Sequence, residues 1–299
     1  MNILILSAST GGGHMRASKA IEGYMTQQNK DINVKIVDSL LYISPILNKT
    51  ITSGYVYLAT KTPKLYGKLY DLTNKEHRLA NFVTRLNNIF ANKLLPLIDD
   101  FRPDVIITTH PFPTEMVSRL KSKGEINIPL ICIMTDYAPH KAWINKKVDA
   151  YIVANDDMVG KMINEGVDVN TIYPYGIPID EIFFEEKEKQ LVLEELGFDK
   201  SLQTILMMAG SFGVTNVFDV YENIIDIDLD FQIILVTGRN QKLYNNFEKV
   251  IDDSPKKTKL IYFTDEINKY MQASDIIITK PGGLTVTEAL ACNIPMAVF

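Results

Sequence analysis

The chain has 299 residues, 46% of them hydrophobic and 22% charged, a balance that suits two folded domains and excludes a disordered chain. Its formal net charge of −5 comes without any nucleic-acid-binding module or motif, and no apolar run approaches the roughly 18 residues that a membrane-spanning helix needs. Cys132 and Cys292 lie among apolar neighbours without metal-ligand spacing, which reads as two reduced core thiols in a cytoplasmic protein.

In chain order, the apolar run Ile3 to Ser7 reads as a strand, because it lacks the basic flank and cleavage site of a signal peptide. The glycine turn Ser9-Thr10-Gly11-Gly12-Gly13-His14 follows it. Next comes a helix whose Ala17, Ala20, Ile21, Tyr24 and Met25 share one face. Further strands are expected at Val34 to Asp38, Val105 to Thr109, Leu130 to Thr135, Ala150 to Ala154 and Thr171 to Tyr175, the alternation of a parallel α/β sheet. Between Lys49 and Lys93 eight basic residues stand against two acidic ones, a net of +6, interleaved with Tyr55, Tyr57, Tyr66, Tyr70, Phe82 and Phe90. Cations mixed with amphipathic aromatics suit an anionic membrane surface; a solvated helical face over buried tyrosines is the bland alternative.

A second strand set is expected at Thr204 to Ala209, Phe231 to Thr237, Lys259 to Phe263, Asp275 to Thr279 and Ile294 to Phe299. The charged stretch before it divides the chain into an N-terminal domain at 1–178 and a C-terminal domain at 179–299. No helix follows the last apolar strand to cover the sheet, so the second domain reads as truncated.

Glycine turns after parallel strands let backbone approach a ligand and aim helix N–H groups at anions. In the first turn Gly11 and Gly13 fit G-x-G, but Arg16 occupies the third glycine position of a dinucleotide fingerprint; Asp38 leaves that reading open. No Gly-Lys-Ser/Thr follows, so the turn is not a P-loop. His14 stands at the start of the helix, where the dipole disfavours imidazolium and keeps the ring neutral, the state a general base needs; a capping role is the alternative.

The second domain carries Ala209-Gly210-Ser211-Phe212-Gly213, Thr237-Gly238-Arg239-Asn240 and Lys280-Pro281-Gly282-Gly283-Leu284-Thr285, three turns that suit a diphosphate cradle. Ser211 and Thr285 offer hydroxyl donors and Arg239 a cation. Glu288 is placed to accept both hydroxyls of a ribose, although Thr285-Val286-Thr287-Glu288 also fits a capping box. Asp226, Asp228 and Asp230 mimic the D-x-D of metal-dependent glycosyltransferases but precede a strand, at the wrong edge of a parallel sheet.

In order, TGGGHMRASKAI, SGYVYLATKTPKLYGKLY, TTHPFP, MTDYAPHKAW, YGIPI, AGSFG, TGRN and KPGGLTVTEAL resemble the processive diacylglycerol glycosyltransferases and plant monogalactosyldiacylglycerol synthases, over essentially the whole chain. The lipid II synthase of peptidoglycan assembly resembles it more distantly. The resemblance implies a GT-B fold of two facing Rossmann-like domains and an inverting transfer of a hexose from a UDP-sugar to the 3-hydroxyl of diacylglycerol. It implies no resident cofactor or metal, the UDP-sugar being a substrate. The expected partners are UDP-glucose or UDP-galactose, diacylglycerol and the anionic inner face of the cell membrane, with no nucleic acid.

Residue by residue, the resemblance matches His14 to the family's glycine-loop histidine, the catalytic base or an active-site orienting group. Gly12, Gly13, His110 and Trp143 fall on the acceptor side, with Tyr55, Lys64 and Tyr66 in the membrane-docking segment. The donor side takes Gly210, Ser211, Phe212 and Gly213 after one strand, Arg239 and Phe263 after two others, and Gly282, Gly283, Leu284, Thr285 and Glu288 at the last helix. An N-acetylglucosaminyltransferase acting on a polyprenyl-linked acceptor, and a catalytically silent UDP-sugar- or membrane-binding module, are the competing readings.

Overall fold

A computed structural model describes residues 1–9, 12–44, 90–185, 188–209 and 217–299. Tyr55, Lys64, Tyr66, Gly210, Ser211, Phe212 and Gly213 lie outside these. The chain divides into two compact units, Met1–Asp180 and Glu181–Phe299.

The first unit runs β1 (Asn2–Ser7), α1 (Gly12–Gln28), β2 (Asn33–Asp38), α2 (Ser39–Ile43), α3 (Leu95–Phe101), β3 (Val105–Thr108), α4 (Pro111–Ser122), β4 (Leu130–Ile133), a 3-10 turn (Lys141–Trp143), β5 (Ala150–Ile152), α5 (Asp156–Asn164) and β6 (Ile172–Tyr173). Its six strands lie in the order β2-β1-β3-β4-β5-β6, all parallel. The unbroken apolar run of β1 has a physical reason: its side chains alternate between two buried faces. Leu4 and Leu6 join one core cluster with Ile106, Val117 and Trp143, while Ile3 and Ile5 join another with Ile21, Ile107 and Ile133. Each such buried side chain contributes about 1.5–3 kcal/mol. Small residues at Ala17, Ser18 and Ala20, all buried, make the face that α1 turns inward.

The second unit contains α6 (Lys189–Glu195), β7 (Gln203–Met208), α7 (Val217–Ile225), β8 (Phe231–Val236), α8 (Gln241–Glu248), β9 (Thr258–Ile261), α9 (Ile267–Gln272), β10 (Ile276–Thr279), α10 (Gly283–Ala291) and β11 (Met296–Val298). Its parallel sheet has the order β11-β10-β7-β8-β9. Gln232, fully buried in β8, accepts from Asp199 N and donates to Asp199 O and Thr204 Oγ1 at 2.8–3.0 Å, closing the N-terminal edge of this sheet with satisfied polar groups.

In both units the topology reverses beside the first strand: β1 lies between β2 and β3, and β7 between β10 and β8. Beyond the C-terminal ends of those strands an open α/β sheet leaves a crevice for ligands.

The strands stop a residue or two earlier than the sequence suggests. Thr109, Thr135 and Thr237 lie just past β3, β4 and β8, and all three are buried. Cys132 is a core thiol pushed up to about 12 by burial. Cys292 is not: it is the half-buried C-cap of α10, its Sγ donating to the Phe183 carbonyl at 3.5 Å, and both thiols are free. At the end of the basic segment, Phe90 packs into the first core 6.4 Å from Phe112, and the Lys93 ammonium donates to the Ile43 carbonyl at 3.1 Å. Phe90 thus serves the core, whereas Lys93 is exposed.

Candidate active site

His14 lies in the first turn of α1, at the switch point of the first sheet. Its Nδ1 is 3.0 Å from the Thr109 carbonyl oxygen and 2.7 Å from Thr135 Oγ1. A carbonyl only accepts, so Nδ1 carries the hydrogen and the neutral ring keeps its lone pair on Nε2. Three buried hydroxyls hold this turn. Thr109 Oγ1 donates to Ser7 Oγ at 2.8 Å and lies 2.9 Å from Ser18 Oγ, which in turn donates to the His14 carbonyl at 3.1 Å. His14 is therefore an internal residue of the helix, not its cap. Burial lowers its pKa most, with the Asp136 charge and the Thr109 carbonyl acting the other way. The ring is neutral as the sequence suggests, but desolvation is the leading cause.

His110 and Trp143 close around it. The His110 ring meets His14 edge-on at 4.6 Å between centroids, and the Trp143 ring stands at 6.2 Å. His110 caps α4, its Nδ1 accepting from Phe112 N at 3.1 Å, and burial followed by the neighbouring His14 pushes its pKa well down. Trp143 is 1% exposed, inside the core cluster, and donates from Nε1 to Asp136 Oδ2 at 2.9 Å. Trp143, expected on the acceptor side, is thus a core residue whose indole is tied to Asp136 and stands beside His14. Gly12 and Gly13 open α1, where the first N–H groups of a helix have no intrahelical acceptor. Asp38 is engaged by its own unit. Its Oδ2 accepts from Ser9 N and Oγ, and its Oδ1 caps α2 through Leu41 N.

In the second unit Gly282 is the N-cap of α10, with no side-chain cap bond, and Gly283 begins the helix. Thr285 is therefore its third residue, not its cap, and the capping-box account of Glu288 falls away. Leu284 and Glu288 are both buried one turn apart. Lys280, directly after β10, is held below the usual lysine range by burial. Gly238, with φ of +65°, turns the chain after β8 so that the Arg239 guanidinium lies 4.3 Å over the Phe263 ring. Asp226, Asp228 and Asp230 are exposed before β8, at the opposite edge of the sheet. Among the described residues no group of three or more His, Cys, Asp or Glu is placed to hold a metal ion.

Residues 14–179, which carry this histidine cluster, match the family described as monogalactosyldiacylglycerol (MGDG) synthase. This chain belongs to the MGDG synthase family. Residues 204–299 match the glycosyltransferase family 28 C-terminal domain. A processive diacylglycerol beta-glucosyltransferase of Staphylococcus epidermidis is 33% identical over 296 residues, covering 98% of this chain and 74% of that protein. One of Staphylococcus aureus is 32% identical over 303 residues with the same coverage. Among solved structures, Acinetobacter baumannii MurG has a TM-score of 0.61 at 14% identity, covering 99% of this chain and 77% of that one. The S. aureus MnaA–UDP structure has a TM-score of 0.60 at 15% identity, covering 99% and 78%. The fold is GT-B, two Rossmann-like parallel-sheet domains, and the MGDG synthase family member is a glycosyltransferase.

Its sequence does not single out Thr109, Thr135 or Asp136 as site residues, although TTHPFP and MTDYAPHKAW contain them. The available signal is positional: each lies in the loop that follows β3 or β4, beyond the C-terminal ends of the parallel strands.

Proposed function

We propose that the chain transfers a hexose from a UDP-sugar to the 3-hydroxyl of diacylglycerol at the inner face of the cell membrane, with inversion and without a resident metal. The fixed tautomer of His14 carries this reading, because it presents a neutral acceptor nitrogen beside a helix N-terminus at a sheet switch point. The acceptor proton passes to Nε2 as the hydroxyl oxygen bonds to the anomeric carbon. The bond from that carbon to the phosphate oxygen breaks, and UDP leaves with the electron pair. Within the second unit the first turn of α10 at Gly282, Gly283 and Thr285 and the Lys280 ammonium receive the diphosphate charge, Arg239 and Phe263 flank the nucleotide, and Glu288 accepts from the ribose.

Lipid transfer is supported by relatives named for diacylglycerol, and glucose is favoured over galactose by the same names. The word beta in them supports inversion, since nucleotide hexoses of this type are alpha-linked. UDP is the nucleotide in the MnaA structure of the same fold.

The test is incubation with diacylglycerol vesicles and labelled UDP-glucose or UDP-galactose, in the presence of EDTA. His14→Ala should lower turnover about 10²- to 10⁴-fold with UDP affinity intact. Unchanged turnover removes His14 from the mechanism, and label that appears on a polyprenyl-linked acceptor but not on diacylglycerol overturns the acceptor assignment.

A further inference from the structure

Nδ1 of His14 is already occupied by the Thr109 carbonyl and the Thr135 hydroxyl, so a carboxylate that assists this histidine acts across space rather than through that nitrogen. Asp136 is such a carboxylate. It is the residue after Thr135, itself exposed, and it is tied at 2.9 Å to the indole N–H of a tryptophan buried to 1% exposure. That indole packs 6.2 Å from the His14 ring. A core-anchored donor stops this carboxylate from wandering.

The geometry points to Asp136 as a positioning residue that stabilises the imidazolium formed on His14 during transfer, with Trp143 holding its charge in place. The inference rests on His14 being the base. Its charge raises the proton affinity of His14 against the larger effect of burial.

Among the described residues, other ionisable groups also stand on the surrounding elements. His110, at the head of α4, is held neutral by burial. Arg16 is exposed on α1, and Tyr137 follows Asp136. In the 3-10 turn His140 Nδ1 accepts from Ala142 N, and Lys141 faces Glu165 at 3.5 Å.

Asp136→Asn keeps an oxygen for the indole N–H and removes the charge. In the intact chain with labelled histidine, the NMR titration midpoint of His14 should move down by about 0.5 or more on the pH scale, less than for a buried ion pair because the carboxylate is exposed. The acid limb of the kcat–pH profile should move the same way, with the plateau lowered about three- to tenfold and acceptor KM unchanged. Asp136→Glu should restore much of the limb, and Trp143→Phe should give a smaller shift of the same sign. An unmoved His14 midpoint in Asp136→Asn overturns the inference, as does a change confined to KM. Unchanged turnover in His14→Ala sinks the catalytic reading separately, since the NMR midpoint does not depend on activity.

Discussion

His110 has two duties that pull in different directions. It caps α4 through Nδ1, which needs an unprotonated nitrogen, and it sits edge-on to a second histidine where a positive charge is unwelcome. Its folded-state pKa lies well below the ordinary 6.5, so on acidification the unfolded chain takes up the proton first. The stability this group contributes is complete above about pH 6.5 and is lost as pH falls toward its folded value. His14 has the same sign of shift and adds to the loss. His110→Asn retains a good N-cap without a titrating ring. Its melting temperature should fall less steeply than that of the parent between about pH 7.5 and 5.5 when followed by circular dichroism; parallel slopes would assign the acid sensitivity elsewhere.

Two residues, one in each unit, show how far single positions were legible. His14 stood out in the sequence because it directly follows three glycines at the start of a helix, although a capping role was equally open there. Glu288 did not separate from a capping box, because spacing alone cannot tell the first residue of a helix from the third. The helix start at Gly283 settles that, and it depends on where β10 ends.

At the scale of elements, the strands were legible because a sheet buried on both faces demands continuous apolar runs, and β1 and β8 supply them. Their C-terminal limits were not, since Thr109, Thr135 and Thr237 have strand-like propensity yet serve the loops that follow. Gln232 marks a further limit of pattern reading. It sits within an otherwise apolar strand as a fully buried amide, and only its partners, Asp199 and Thr204, explain it. Gln232→Met nearly preserves its volume but removes the amide partner of the Asp199 N–H and carbonyl and of the buried Thr204 hydroxyl. It should cost about 2 kcal/mol or more, read as a lowered urea midpoint with an unchanged slope. A midpoint within error of the parent would mean that water replaces the amide.

For the whole molecule, the two sheets repeat one plan: a central first strand, a reversal of order beside it, and glycine-rich backbone at the same edge. Each domain carries its own family of turns, and the proposed division of labour assigns the donor to the second and the acceptor to the first. UDP should therefore protect amides in one unit only. Hydrogen exchange with UDP is expected to slow Gly283, Leu284 and Thr285, whose N–H groups open α10, together with the Gly238–Asn240 turn, and to leave the first turn of α1 unchanged. Protection at Gly13 and His14 without protection at α10 would reverse the assignment of donor and acceptor sides.

Trp143 is the only tryptophan in a chain that has 14 tyrosines. Its indole therefore makes the protein its own fluorophore, excitable apart from the phenols and seated beside one histidine pair. Emission then reports the polarity and hydrogen bonding of that spot alone. Under the proposed assignment, lipid entering the first unit would change this emission without a label, whereas nucleotide in the second would meet no tryptophan of its own unit.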